Sequence, residues 1–262
     1  LAASDYITIA LNALKGESDI SMITATFMQI DTAIWAYVAP KNREAVRLAV
    51  ANAAEALLDG AKPGSDNQLQ YARAFVNNAV TPAQFDRLKA MLDGAVNGLT
   101  VDAELRWYIF ICGVKRGIFG PSEITAEGDR DKTAHGTQYV AYAHAAIPTK
   151  EAKVAAFKSV TTDDLSNTIH SYKCRGFNEN IHCDLLEAFV DKYFDAILEV
   201  WATKGYEIAE TTATLTFPTW AISDETVKKS QHWLDVTGKD ASAALRRTVA
   251  EGRDAMVRAL KA

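Results

Sequence analysis

An all-α fold is predicted by three features of this 262-residue chain. Apolar residues recur in steps of three and four over most of its length, helix start and stop signals bracket those stretches, and only two short segments admit a strand instead. The first clear helix carries Ile20, Ile23, Phe27, Ile30, Ile34 and Tyr37 on one face, with Asp19 ahead of it as an N-cap. Val46, Ala49, Val50, Ala53 and Leu57 repeat the habit one element later. Thr81-Pro82-Ala83-Gln84 offers an N-cap, a proline at the first helical position and a glutamine that reaches back. Glycines at 60, 94, 98 and 238 read as helix stops, a better account of Asp59-Gly60, Asp93-Gly94 and Asn97-Gly98 than hairpin turns, because the flanking residues keep helical spacing.

Residues 107–114 could form a buried strand and 211–217 an edge strand, but both are assigned as helix. Between them, residues 183–209 predict one long amphipathic helix: Leu185, Leu186, Phe189, Val190, Tyr193, Phe194, Ile197, Leu198 and Trp201 fall on one side and Glu187, Asp191, Lys192, Asp195 and Glu199 on the other. Ser223-Asp224-Glu225 then places anions where a helix N-terminus favours them. The tally is about thirteen helices in a single domain over residues 1–262. A helix pair takes roughly 35 to 40 residues, near the period of HEAT-type α-α superhelices, and stacked pairs of that kind curve into an array with a concave side.

Composition narrows the function. With 48% hydrophobic and 23% charged residues the chain resembles an ordinary globular protein, long enough to bury about 70% of its surface. The net charge of −5 contains no basic block, which argues against nucleic acid as a partner. The longest apolar run, 107–114, ends at Lys115-Arg116 and falls far short of a membrane span, so no membrane partner is expected. Three cysteines, Cys112, Cys174 and Cys183, point to a reducing, cytoplasmic setting and not to a disulfide scaffold. A start at Leu1, without methionine, suits a piece of a longer protein.

Chemistry is sparse. None of His135, His144, His170, His182 and His232 begins a pair of histidines one helical turn apart with a glutamate between them. Cys174, His182 and Cys183 match no common structural zinc spacing, and nothing marks an orienting partner for a cysteine nucleophile. Gly113, Gly117 and Gly120 are too far apart for a phosphate loop. The five tryptophans read as packing residues, and Arg246, Arg247, Arg253, Arg258 and Lys261 as a solvated face. No catalytic residue, metal ligand or cofactor is therefore assigned to this chain.

One ordered set of short blocks carries more information. It comprises Val38-Ala39-Pro40, Pro63-Gly64-Ser65-Asp66, Glu104-Leu105-Arg106-Trp107, Thr149-Lys150-Glu151-Ala152-Lys153, Arg175-Gly176-Phe177-Asn178, Tyr193-Phe194, Val200-Trp201, Glu207-Ile208-Ala209 and the run from Leu245-Arg246-Arg247 to Ala259-Leu260. The set resembles, in order and over nearly the whole chain, the C-terminal helical domain of the aminopeptidase N family of zinc metallopeptidases in its actinobacterial form. The family's zinc-binding histidines, its third ligand glutamate and its Gly-Ala-Met-Glu-Asn segment are absent, so this chain alone should be catalytically silent and zinc would belong to the parent's catalytic domain. The resemblance implies a superhelical bowl that caps the active-site chamber and controls peptide access, with the catalytic domain and peptides as partners. It also draws attention to Lys173, Arg175, Asn178 and Glu179, which read as an inter-helix loop before the long helix, where they could line the peptide path or dock on the catalytic domain, the alternative being that they serve only to keep the loop solvated. Without that domain an apolar docking patch should be exposed, and the isolated chain could dimerise through it. The alternative is a free-standing HEAT-like scaffold that binds a protein or peptide.

Overall fold

The computed structural model describes residues 2–261, and they are all-α: among them there is no strand, and fourteen α-helices of nine residues or more are joined by short connections and single helical turns. The chain divides into two compact units, Leu1–Gly113 and Val114–Lys261.

In the first unit run α1 (Ala3–Leu14), α2 (Ile20–Thr32), α3 (Pro40–Gly60), α4 (Asp66–Asn78), α5 (Pro82–Leu92) and α6 (Ala103–Val114), with α3 packed along α4. The start signals act as read. Asp19 Oδ1 accepts from the amides of Ser21 and Met22. Thr81 Oγ1 accepts from the Gln84 amide at 3.3 Å while Gln84 Oε1 accepts from the Thr81 amide at 3.2 Å. Ile23, Ile30, Ile34, Val50, Leu58, Phe75 and Met91 form the core. Residues 107–114 are helical, as assigned.

The stop glycines divide. Gly94, at φ +77°, closes α5 in a Schellman turn: its amide donates to Met91 O and that of Ala95 to Ala90 O, both at 3.0 Å. Gly98, also at φ +77°, serves a different need, since a Cβ there would lie 2.4 Å from Pro63 Cβ and 2.7 Å from Gly64 N. Gly238 caps a helical end as read, though at φ −97° and not in the left-handed region, whereas Gly60 is the last residue of α3 with Ala61 as its C-cap, so the C-cap reading is corrected at Gly60 alone.

The second unit contains α7 (Pro121–Arg130), α8 (Ala134–Ala146), α9 (Lys150–Thr162), α10 (Asn167–Phe177), α11 (Cys183–Leu186), α12 (Val190–Thr203), α13 (Tyr206–Leu215), α14 (Asp224–His232) and α15 (Ala243–Leu260). The single helix predicted over 183–209 is broken twice. A 3-10 turn at Glu187–Phe189 turns Phe189 into a ring cluster with Phe157 and Phe177, centroids 5.2–5.4 Å apart. Lys204 is extended, and its Nζ donates at 2.9 Å to the carbonyls of Thr162 and Asp163, at the C-terminal end of α9. Both breaks are set by tertiary partners that periodicity does not contain. The threonine-rich segment is helical through Leu215, with Thr212 Oγ1 donating back to Ile208 O at 2.8 Å. Trp107, Trp220 and Trp233 are buried and Trp35 and Trp201 half-buried, in line with a packing role.

Two π-helical turns, Ala33–Tyr37 after α2 and Trp233–Thr237 after α14, were invisible in the sequence. Each is fastened by an arginine from the next helix. Arg43 donates to Trp35 O and Val38 O, both at 3.0 Å, and Arg246 donates to Leu234 O at 2.6 Å and Gly238 O at 2.7 Å. Helix ends leave carbonyls without partners, and a guanidinium with five donors satisfies several at once. Arg246 is thus no part of a solvated face, whereas Arg247, paired with Glu251, is exposed as expected.

Candidate functional site

The polar residues of the second unit converge where α8, α9 and α10 end or begin. Helices α8 and α10 approach closely because Gly176 faces Tyr142: a Cβ at Gly176 would sit 2.3 Å from the Tyr142 carbonyl oxygen. Their C-terminal turns therefore present unpaired carbonyls to one small space, and Lys153, from the first turns of α9, enters it. Its Nζ donates to Ala145 O at 2.8 Å, Gly176 O at 3.0 Å and Phe177 O at 3.1 Å, three donors for three acceptors. The side chain is fully buried. Helix C-termini carry partial negative charge, so an ammonium is the suited group. Burial nonetheless pulls Lys153 down to about 7, with the Glu179 carboxylate opposing and the Lys115 cation adding to the fall.

Beside this cage, Glu179 pairs with Lys115 Nζ at 3.2 Å and accepts from the Tyr142 hydroxyl. Both members of the pair are mostly buried, with side-chain exposures of 13% for Lys115 and 15% for Glu179. His182, on a 3-10 turn (Asn180–His182), donates from Nε2 to the Lys115 carbonyl at 2.7 Å.

Of the four residues singled out in the sequence, two are misplaced by the loop reading. Lys173 and Arg175 lie on α10, and only Asn178 and Glu179 follow it. Lys173 Nζ donates to Ser159 Oγ at 2.7 Å. Asn178 ties two segments together, donating to Phe217 O at 3.2 Å and accepting from Trp220 Nε1 at 2.6 Å. Arg175 is exposed, its guanidinium 5.9 Å from the Tyr172 ring centroid. Asn178 and Glu179 thus turn inward, and Arg175 is the member that presents its charge to solvent. Lys115, Tyr142, Lys153 and His182 were missed as a group. One signal was available: Lys153 occupies the apolar stripe of Ala156, Phe157 and Val160, where a lysine needs an internal partner.

The soft-ligand trio does not assemble. Cys174 Sγ lies 3.8–3.9 Å from the ring of His170, whose Nε2 is shared between Val160 O and Thr212 Oγ1, both at 3.0 Å. The Cys183 thiol donates instead to Asp184 at 3.6 Å. Among the described residues no three His, Cys, Asp or Glu side chains form a group able to hold a metal, so the zinc implied by the resemblance finds no fitting donor set here. Nor is any helix among them long and apolar enough to cross a membrane.

An all-α chain whose polar interior joins helix ends is the setting in which the comparisons fall. Residues 1–258 match the ERAP1-like C-terminal domain, and the chain belongs to that family. Aminopeptidase N of Streptomyces lividans is 41% identical to it over 265 residues, an alignment that covers 100% of this chain and 31% of that protein. The chain therefore spans about a third of the length of this relative.

Proposed function

We propose that this chain is the non-catalytic C-terminal domain of a zinc-dependent aminopeptidase that removes N-terminal residues from peptides, and that it caps the active-site chamber and governs peptide access. The observation that carries the reading is the alignment of the whole chain with 31% of an aminopeptidase N at 41% identity. In this reading residues 1–262 act as one domain, a curved HEAT-like wall, and the zinc and the reacting groups belong to a catalytic domain that is its partner. Enclosure has a physical purpose: a chamber closed to bulk water strengthens the electrostatics at the metal, and a narrow entrance selects unfolded peptides. Arg175, the exposed member of the four residues, is the one assigned to the peptide path or the domain contact.

In the complete enzyme, Arg175→Ala is expected to raise KM for peptides of several residues while leaving turnover of a single aminoacyl-anilide unchanged. Identical KM and length preference would remove Arg175 from the peptide path. Aminoacyl-anilide turnover by the pure 262-residue chain would overturn the non-catalytic assignment itself.

A further inference from the structure

The corner beside the Lys153 cage holds a buried group whose protonation the fold resists. His182 is 5% exposed. Because the Lys115 carbonyl can only accept, the 2.7 Å contact fixes the ring proton on Nε2 and leaves Nδ1 as a bare acceptor. Nδ1 is buried and has no hydrogen-bond partner among the described residues. A second proton must bind there, where no acceptor receives it.

The charges around the ring point the same way. The turn after α6 supplies Lys115, α9 supplies Lys153, the segment after α10 supplies Glu179, and α8 supplies Tyr142, which donates to that carboxylate. Two cations thus face one anion, whose oxygens are already engaged by Lys115 and Tyr142. An imidazolium would be a third cation in a space with no bulk water to screen it.

We propose that His182 is a proton-operated trigger: a proton bound at Nδ1 expels the Asn180–His182 turn from its seat on the Lys115 carbonyl and opens the corner between residues 115–117 and 179–183 before the surrounding helices unfold. Burial first, then the Lys153 cation, holds the ring down to about 4, against the opposing effects of the Lys115 carbonyl and Glu179. The opened ring, in water, takes its proton near the ordinary value of about 6.5. Between these two values the open state binds more protons than the closed one, so the closed corner loses stability as pH falls through that window. The opening equilibrium rises about 30-fold by pH 5 relative to its value above pH 7, and about 300-fold at the acid limit.

The test is backbone amide hydrogen exchange by NMR on the whole chain between pH 7 and pH 5, corrected for the intrinsic pH dependence of exchange, on the parent and on His182→Gln. The glutamine keeps an N–H near the Nε2 position and takes up no proton. Amides of residues 179–183 in the parent should open about 20-fold more at pH 5 than at pH 7 while those of α12 stay protected, and His182→Gln should show no such rise. The ring resonances of His182 in the parent provide a second reading that needs no variant: the ring should remain in the Nε2–H form at pH 5.5. A ring that titrates near pH 6.5, an acid response retained by His182→Gln, or exchange that rises uniformly across the second unit would each overturn the proposal.

Discussion

Gly176→Ala tests the central packing claim, that α8 and α10 meet because one residue lacks a side chain. The added methyl would lie 2.3 Å from Tyr142 O, 3.0 Å from Ala145 Cβ and 3.1 Å from the Tyr142 carbonyl carbon. Relief requires the helices to part by about 1 Å, since carbon contacts settle near 3.5 Å. Alanine gains about 1 kcal/mol in helix propensity over glycine. Against that stand an overpacking cost of about 1–3 kcal/mol and the loss of one Lys153 contact, because Ala145 O and Gly176 O are bonded at 2.8 and 3.0 Å from opposite sides of the same seam. A buried carbonyl left unpaired costs about 1–3 kcal/mol. The net expectation is a loss of roughly 2–4 kcal/mol, seen as a fall in Tm of about 5–15 °C by circular dichroism. Gly60→Ala is the control, since nothing lies within 4 Å of its added Cβ, and it should be neutral or stabilising by less than about 1 kcal/mol. If Gly176→Ala melts with the parent or above it, the seam does not depend on glycine and the reasoning fails.

Two further outcomes follow from the same interior. Lys153→Met keeps the stem and removes the ammonium, stranding Ala145 O, Gly176 O and Phe177 O in a dry space. Urea unfolding should show a loss of about 3–5 kcal/mol, the relief of burying a cation offsetting part of three unpaired carbonyls; an unchanged midpoint would mean that the cage does not hold the helix ends. Cys174 is fully buried and its thiol is pushed up to about 12 by burial, so a thiol reagent at pH 7.5 should label Cys183 quickly and reach Cys112 and Cys174 only as the chain unfolds. Rapid labelling of all three cysteines in the native chain would contradict the burial on which that order rests.

The parts of the fold that were readable in the sequence are those whose causes are local. Asp19 and the Thr81–Gln84 box cap helices through atoms two to four residues away, and Gly94 closes α5 by turning its own and the next amide onto carbonyls three and four residues before it, so the residue types alone announce them. The misreadings share the opposite property. The break at Glu187–Phe189 answers to rings at 157 and 177, and that at Lys204 to carbonyls at 162 and 163. Glu179 is matched by a lysine 64 residues earlier, and Asn178 by an indole 42 residues later.

A polar side chain just past a helix end looks solvated in sequence because loops usually are. In this chain the same position is where helix carbonyls lack partners, and a lysine or arginine from another segment fills the gap at Lys153, Arg43, Lys204 and Arg246. The recurrence gives a rule that the sequence could have supplied. A cation on the apolar stripe of a predicted helix, as Lys153 is, should first be tested as a cap for a neighbouring helix, because a buried ammonium needs several acceptors and helix C-termini offer them in clusters. Applied here, the rule places Lys153 in the interior, beside the mostly buried Lys115–Glu179 pair, and leaves Arg175, exposed on α10, as the group that can meet another molecule.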